Sequence, residues 1–224
     1  NYVNYQLSVW HEVVTWYGWE SIPGFKERLS GFSPEDMYSN ALGGNLAVGI
    51  IVNRETRSRD QYDESVEAWI AEGLRRLGAV DKAQARAAMQ AVDGLWWDSK
   101  QRVPDMKLVT RRNLEIEAPL AGWLVADALG KDAPPEIAGM CRGQPPPLKM
   151  RVPSKIGETP LAELVTVEFE FDKWVPEKFP LPAKQGDKVT QRDFPAIVED
   201  VRRAGSEELG EGFDKPSAAE KKAD

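Results

Sequence analysis

His11 and Glu12 are the residues most able to do chemistry: His11 is the one histidine in 224 residues, and a carboxylate follows it directly. In zinc peptidases a His-Glu-x-x-His helix brings two imidazoles one turn apart to one metal, while the Glu takes a proton from metal-bound water. Here the run is His11-Glu12-Val13-Val14-Thr15, with Thr15 where the second histidine would stand. A threonine hydroxyl is a poor zinc ligand at neutral pH. A divalent metal such as zinc would therefore need His11 and Glu12 to be joined by carboxylates such as Asp36 or Glu20, or by ligands from a missing segment. In that reading His11 is a ligand or base, Glu12 a general base or ligand, Asp36 a ligand, and Asn40 a supporting or substrate-binding group.

A second reading needs no metal. Glu12 precedes Trp16 by one helical turn, and a carboxyl held against rings has its charged form disfavoured, which suits a general acid. Trp16 and Trp19 would then stack on sugar rings, and Asp36 or Glu20 would be the second carboxylate of a glycan-cleaving or glycan-binding site. The third reading is structural: His11 bonds a buried neighbour, Glu12 is an ordinary helix carboxylate, and the eight Trp build core.

Other chemistries are excluded or disfavoured more cheaply. With one histidine, a Ser-His-Asp or Cys-His arrangement could use only His11, and no Gly-x-Ser-x-Gly elbow exists. The single Cys141 forbids an intramolecular disulfide framework and a cysteine-rich zinc site, and it has no helix start ahead of it to acidify the thiol. Gly43-Gly44 lacks the Lys-Ser/Thr of a phosphate loop. A net charge of −7 argues against nucleic acid. The compact basic pair Arg111-Arg112 is followed by Glu115 and Glu117, which are its expected partners. No run of about 18 apolar residues exists to span a bilayer. The chain opens at Asn1 inside a helical pattern, which reads as a processed or truncated product.

The elements that must position these residues are mostly helices. Leu7, Trp10, Val14 and Tyr17 predict the buried stripe of a helix over 4–18. Ser33-Pro34-Glu35-Asp36 predicts a capped start for a second helix, with Met37, Ala41, Gly44, Val48 and Ile51 as its stripe and small residues at 43, 44 and 47 where the first helix can approach. Helices follow over 62–77, 82–92 and 119–129, the second capped by Asp81 and the third closed by Gly130. A short strand is expected over 108–116. Pro134-Pro135 and Pro145-Pro146-Pro147 begin a loop-rich part. Strict alternation over 164–171 predicts a half-buried strand paired with 148–152, ended by Pro176, Pro180 and Pro182. A last helix is expected over 194–204. The fold class is therefore α+β, mainly α, with a helical core over 1–130, a loop-rich part with a small antiparallel β portion over 131–205, and a disordered tail over 206–224.

The runs Tyr5-Gln6-Leu7-Ser8-Val9-Trp10-His11-Glu12, Thr15-Trp16-Tyr17-Gly18 and Phe32-Ser33-Pro34-Glu35-Asp36-Met37-Tyr38-Ser39-Asn40 resemble the bacterial family called domain of unknown function 4056, over roughly the first 130 residues. The resemblance implies an envelope lipoprotein with a periplasmic setting, of which this chain is the C-terminal part. It also implies an upstream segment of the same precursor that supplies a further His and Asp. That would favour a metal-dependent hydrolase-like site at His11-Glu12. The alternative is a non-catalytic envelope interaction or structural module, with peptidoglycan or envelope proteins as partners.

Overall fold

A computed structural model describes residues 1–24, 27–130, 133–141, 147–171, 178–180 and 186–217. The fold is α+β and mainly α, with eight α-helices and two two-stranded antiparallel sheets among the described residues. Among those residues no helix is long and apolar enough to cross a membrane.

Helix α1 (Tyr2–Trp16) and helix α2 (Asp36–Val52) form the frame of the site. They meet where the sequence offers small residues: a Cβ on Gly44 would fall 2.7 Å from the Asn1 side-chain oxygen, so the α1 start lies against it. The buried residues of α1 are Tyr5, Val9, Glu12, Val13, Val14, Thr15 and Trp16. The expected stripe is thus rotated. Leu7 is exposed and Trp10 and Tyr17 are half-buried, because α1 packs on two sides and one of them carries Glu12. Trp10 serves the other side, stacking on Phe169 with ring centroids 4.6 Å apart and lying 6.3 Å from Phe194. On α2, Met37, Ala41 and Gly44 are buried as expected, whereas Ile51 is exposed near the helix end.

Helix α3 (Arg59–Arg76) is capped by Ser58, and α4 (Lys82–Ala91) by a capping box in which Asp81 accepts from Gln84 N–H and Gln84 accepts from Asp81 N–H. The expected helix over 119–129 shrinks to α5 (Val125–Leu129), closed by Gly130 with φ +57°. Its first half is extended instead, because Leu120 and Met150 exchange both backbone hydrogen bonds, at 2.9 and 2.8 Å. That exchange also takes the expected partner of 164–171 away. The strand Glu168–Glu170 (β3) pairs with Lys188–Thr190 (β4) in antiparallel register, Phe169 opposite Val189. The alternation itself holds, with Phe171 buried and Thr166, Glu168 and Glu170 exposed. Lys155–Ile156 (β1) and Thr159–Pro160 (β2) make a two-residue hairpin followed by the one-turn helix α7 (Leu161–Leu164).

Helix α6 is Pro135–Cys141, with the Cys141 side chain outside the described residues, as are Pro145, Pro146, Pro176 and Pro182. Helix α8 runs Phe194–Leu209, longer than expected, burying Ile197, Val198, Val201 and Gly205. Beyond it Phe213 is fully buried and Pro216 O accepts from the Trp96 indole N–H at 2.8 Å; 218–224 lie outside the described residues. One hydrophobic cluster draws on Val9, Val13, Met37 and Leu114 as well as Met150, Phe171, Ile197 and Phe213. Residues on both sides of position 130 share it.

Candidate functional site

Adjacent helical residues point about 100° apart, and this separates His11 from Glu12. The His11 imidazole is exposed and packs T-shaped with Trp19, 5.8 Å between centroids at 81°. Glu12, 5% exposed, turns inward. Its Oε2 accepts from the Phe32 N–H at 2.9 Å, and its carboxyl hydrogen-bonds that of Asp36. Phe32 holds φ at +59°, a left-handed backbone that costs a non-glycine residue about 1–2 kcal/mol. That conformation is secured on both sides, since its N–H reaches Glu12 and its carbonyl accepts from Asn113 N–H at 2.8 Å.

Asp36 is the first residue of α2 and is itself held by the loop before it. Ser33 donates to Asp36 Oδ2 twice, from N–H at 2.7 Å and from the hydroxyl at 2.9 Å. The expected cap is therefore inverted: Ser33 donates to the acid, where an N-cap serine would accept from the helix. Two carboxyls in hydrogen-bond contact, Glu12 buried and Asp36 half-buried, do not both ionise, so they share one proton at neutral pH. Glu12 keeps it. Burial, and next the Asp36 charge, push its carboxyl up to about 8, while Asp36 is also raised by burial but opposed by the Ser33 hydrogen bonds.

Arg112 lies within electrostatic reach of the pair. Its guanidinium is fully buried, donating from Nη1 to Gly31 O at 3.0 Å and from Nη2 to Met106 O at 3.3 Å. Burial lowers it to about 10, and the Asp36 and Glu12 carboxyls oppose that fall, so it stays charged. Glu115 and Glu117 are not its partners. The expected pairing fails because the segment carrying Arg112 is drawn into the core, its N–H bonding Phe213 O at 2.9 Å. Trp16 lies beneath two cations, with the Arg28 guanidinium carbon 5.4 Å and that of Arg112 6.0 Å from its ring centroid. Arg28 in turn pairs with Glu208 at 2.8 Å. The interior cluster is one carboxyl, one carboxylate and one guanidinium.

Of the residues named from the sequence, Glu12 and Asp36 come together, and Trp16 lies beside them under Arg112. His11 and Trp19 form a separate, exposed pair. Asn40 is half-buried on α2, and Glu20 accepts from Gly24 N–H at 2.7 Å. Trp16 is 1% exposed and offers no face to a sugar, whereas Trp19 does. Among the described residues no group of three or more His, Cys, Asp or Glu comes together to hold a metal. A cavity of about 700 Å³ touches the back of the cluster through Trp16 and Arg28, and one of about 420 Å³ lies between Tyr38, Leu77, Trp123 and Ile137. Neither is lined by Glu12 or Asp36. Sequence reasoning missed Arg112 as a member of the cluster and Ser33 as a donor to it.

A family model described as a protein of unknown function (DUF4056) matches residues 1–123, just over half of the chain. The chain belongs to this family. No curated protein and no solved structure matches it. The matched part of the DUF4056 chain contains Glu12, Ser33, Asp36 and Arg112 together, so the whole interior cluster lies within the family's span.

The proton on Glu12 makes the stability of the DUF4056 chain pH-dependent with a definite sign. Unfolded, Glu12 loses its proton in the ordinary carboxylate range; folded, it holds it to about 8. The folded state therefore binds more protons over that interval, and this contribution is fully present below about pH 4.5 and lost as pH rises through about 8. Glu12→Gln keeps the shape, its amide N–H donating to Asp36 and its oxygen accepting from Phe32. Urea midpoints measured at about pH 5 and about pH 9 should fall for the parent and stay closer together for E12Q. Equal falls in both would remove Glu12 as the source.

Proposed function

We propose that this DUF4056 chain is a non-catalytic interaction module: the Glu12–Asp36–Arg112 cluster latches α1 to the start of α2 and to the segment at 112, and the partner-binding surface lies elsewhere, on α3. The observation that carries this reading is the divergence of His11 and Glu12, one imidazole at the surface against Trp19 and one carboxyl inside against Phe32 and Asp36. A hydrolytic metal site needs both at one ion. Meanwhile α3 has no buried residue and exposes Tyr62, Ile70 and Leu74.

One observation favours a second reading. A protonated Glu12 beside an ionised Asp36 is the resting state of a general acid–base couple, so hydrolysis without a metal would use Glu12 as acid and Asp36 as base. It also requires substrate to reach a carboxyl that is 5% exposed.

Metal analysis with thermal melts separates these from a metal enzyme. The interaction reading expects no stoichiometric transition metal, a Tm unmoved by chelation, and His11→Ala within about 0.5 kcal/mol of the parent, as for an exposed residue. A bound metal lost in both His11→Ala and Glu12→Gln, with a Tm that falls on chelation, would overturn it.

A further inference from the structure

We infer that the cavity of about 420 Å³ framed by the end of α3 and by α4, α5 and α6 takes the chain of a small anionic amphiphile, a fatty carboxylate, whose head group meets Arg76 at the mouth. This goes beyond the interaction surface proposed above and stands without it. Among the described residues of α4, α5 and α6 only Ile137 is buried. The apolar side chains around it face one another across open space: Leu77, Ala88, Trp123, Val125 and Met140 line the cavity and are only half-buried. Three short helices thus make a shell without a centre. Close-packed interiors leave few voids larger than a water molecule, whereas this volume falls within the roughly 300–1,000 Å³ of ligand pockets.

Water is a poor occupant of such a space, since an apolar lining gives it few hydrogen-bond partners. The Tyr38 hydroxyl on the wall is already engaged, donating to Leu148 O at 2.7 Å. An apolar chain, by contrast, completes the packing that the half-buried side chains lack. Charge gives that chain its head. Arg76 is the one charged side chain among the described lining residues. Its Nε bonds Glu72 at 2.7 Å, but Arg75 holds both oxygens of the same carboxylate, at 2.7 and 2.8 Å. Two guanidiniums therefore share one acid, and a positive charge is left over at the mouth. Among the described residues the terminal nitrogens of Arg76 have no hydrogen-bond partner, and their planar fork suits the two oxygens of a carboxylate. The Arg76 side chain is 64% exposed, so its contribution is modest and the buried chain supplies most of the affinity.

Isothermal titration calorimetry on the full chain tests this with decanoate, kept below its micelle threshold, beside decan-1-ol, which has the same chain and no charge. The parent should bind one decanoate per chain, and decan-1-ol about threefold to fivefold more weakly. Arg76→Gln should weaken decanoate by the same factor and leave decan-1-ol unchanged. Gly122→Leu fills the cavity from its wall, where the nearest atom to a new Cβ beyond the chain neighbours is a Tyr38 ring carbon at 4.0 Å. That variant should raise the Tm and abolish binding of both compounds. Ala88→Phe fills the same space from α4 and should also abolish binding, with far-UV circular dichroism confirming which variants are folded. A parent that binds neither compound would overturn the inference. Binding unchanged in a folded filling variant would place the site outside the cavity and overturn it equally. Equal affinities for decanoate and decan-1-ol, both indifferent to Arg76→Gln, would overturn the anionic head.

Discussion

Arg112→Met should lower stability at neutral pH by about 1–3 kcal/mol, the cost of leaving buried carbonyl acceptors without their donor. The apolar stem is kept, so the change isolates the guanidinium. Without it the carbonyls of Gly31 and Met106 lose their donors, and the half-buried Asp36 carboxylate loses the attraction of a nearby cation. Trp16 also loses one of the two cations above its ring. Arg112→Lys should recover little, because an ammonium cannot span two carbonyls as the planar fork does. The deficit has its own pH signature. As the pH falls and Asp36 takes up a proton beside the already protonated Glu12, the negative charge of the pair disappears, and the difference between R112M and the parent should shrink. Asp36→Asn in the R112M background removes the same charge by mutation and should restore part of the loss at neutral pH. Urea denaturation measures all of these, and a neutral-pH deficit under about 1 kcal/mol would show that the two carbonyls do without their donor.

How much of this site was legible in the sequence depends on how local each relation is. Glu12 next to aromatic residues carries its own signal, and the idea that such a carboxyl is raised toward neutral pH holds, although the main partner is Asp36 and not a ring alone. The nearness of Asp36 was legible because a helix start twenty-odd residues on could fold back beside α1. What misled was adjacency: His11-Glu12 reads as a pair in a line of letters, yet neighbouring residues on a helix face different ways. Arg112 was not legible. Its segment has no strong periodicity, and nothing in Arg111-Arg112-Asn113 tells a buried guanidinium from a solvated one, since the difference is made by Gly31, Met106 and Asp36 from other parts of the chain.

The fold shows the same division. Helix α4 begins at Asp81, where cap chemistry is written in three or four consecutive residues, whereas α3 begins at Ser58, ahead of the Tyr62 start that its apolar spacing suggested. The segment 119–129 fails because Leu120 spends its backbone hydrogen bonds on Met150, thirty residues away, and no local propensity records that exchange. The same pairing leaves Glu168–Glu170 to find Lys188–Thr190. Alternation fixed which face of that strand is buried but could not choose its neighbour. Composition likewise marked 206–224 as a tail without periodicity, yet within its described part Phe213 is fully buried.

That ring carries the second large effect. Gly205→Ala should destabilise the protein by about 1–3 kcal/mol, although on helical propensity alone Ala in the middle of α8 would stabilise by about 1 kcal/mol. The sign reverses because a Cβ at position 205 would fall within 2.9 Å of three carbons of the Phe213 ring. The ring is fully buried and cannot simply swing aside. Phe213→Ala should cost more, about 3–5 kcal/mol, and its loss should reach the acid cluster. Phe213 O accepts from Arg112 N–H, and Gly212 O accepts from Arg111 Nη1 at 3.2 Å, so the docked turn holds the segment that delivers the guanidinium. A double-mutant cycle decides whether close approach is the cause. With the ring gone, a Cβ at 205 meets open space, and Gly205→Ala/Phe213→Ala should be no less stable than Phe213→Ala, recovering the propensity gain that the parent forbids. Additive losses would mean that Gly205 acts through something other than Phe213. If the cycle closes as expected, the pH dependence tied to Glu12 should also weaken in Phe213→Ala, because the cation opposite the acid pair is then less firmly held.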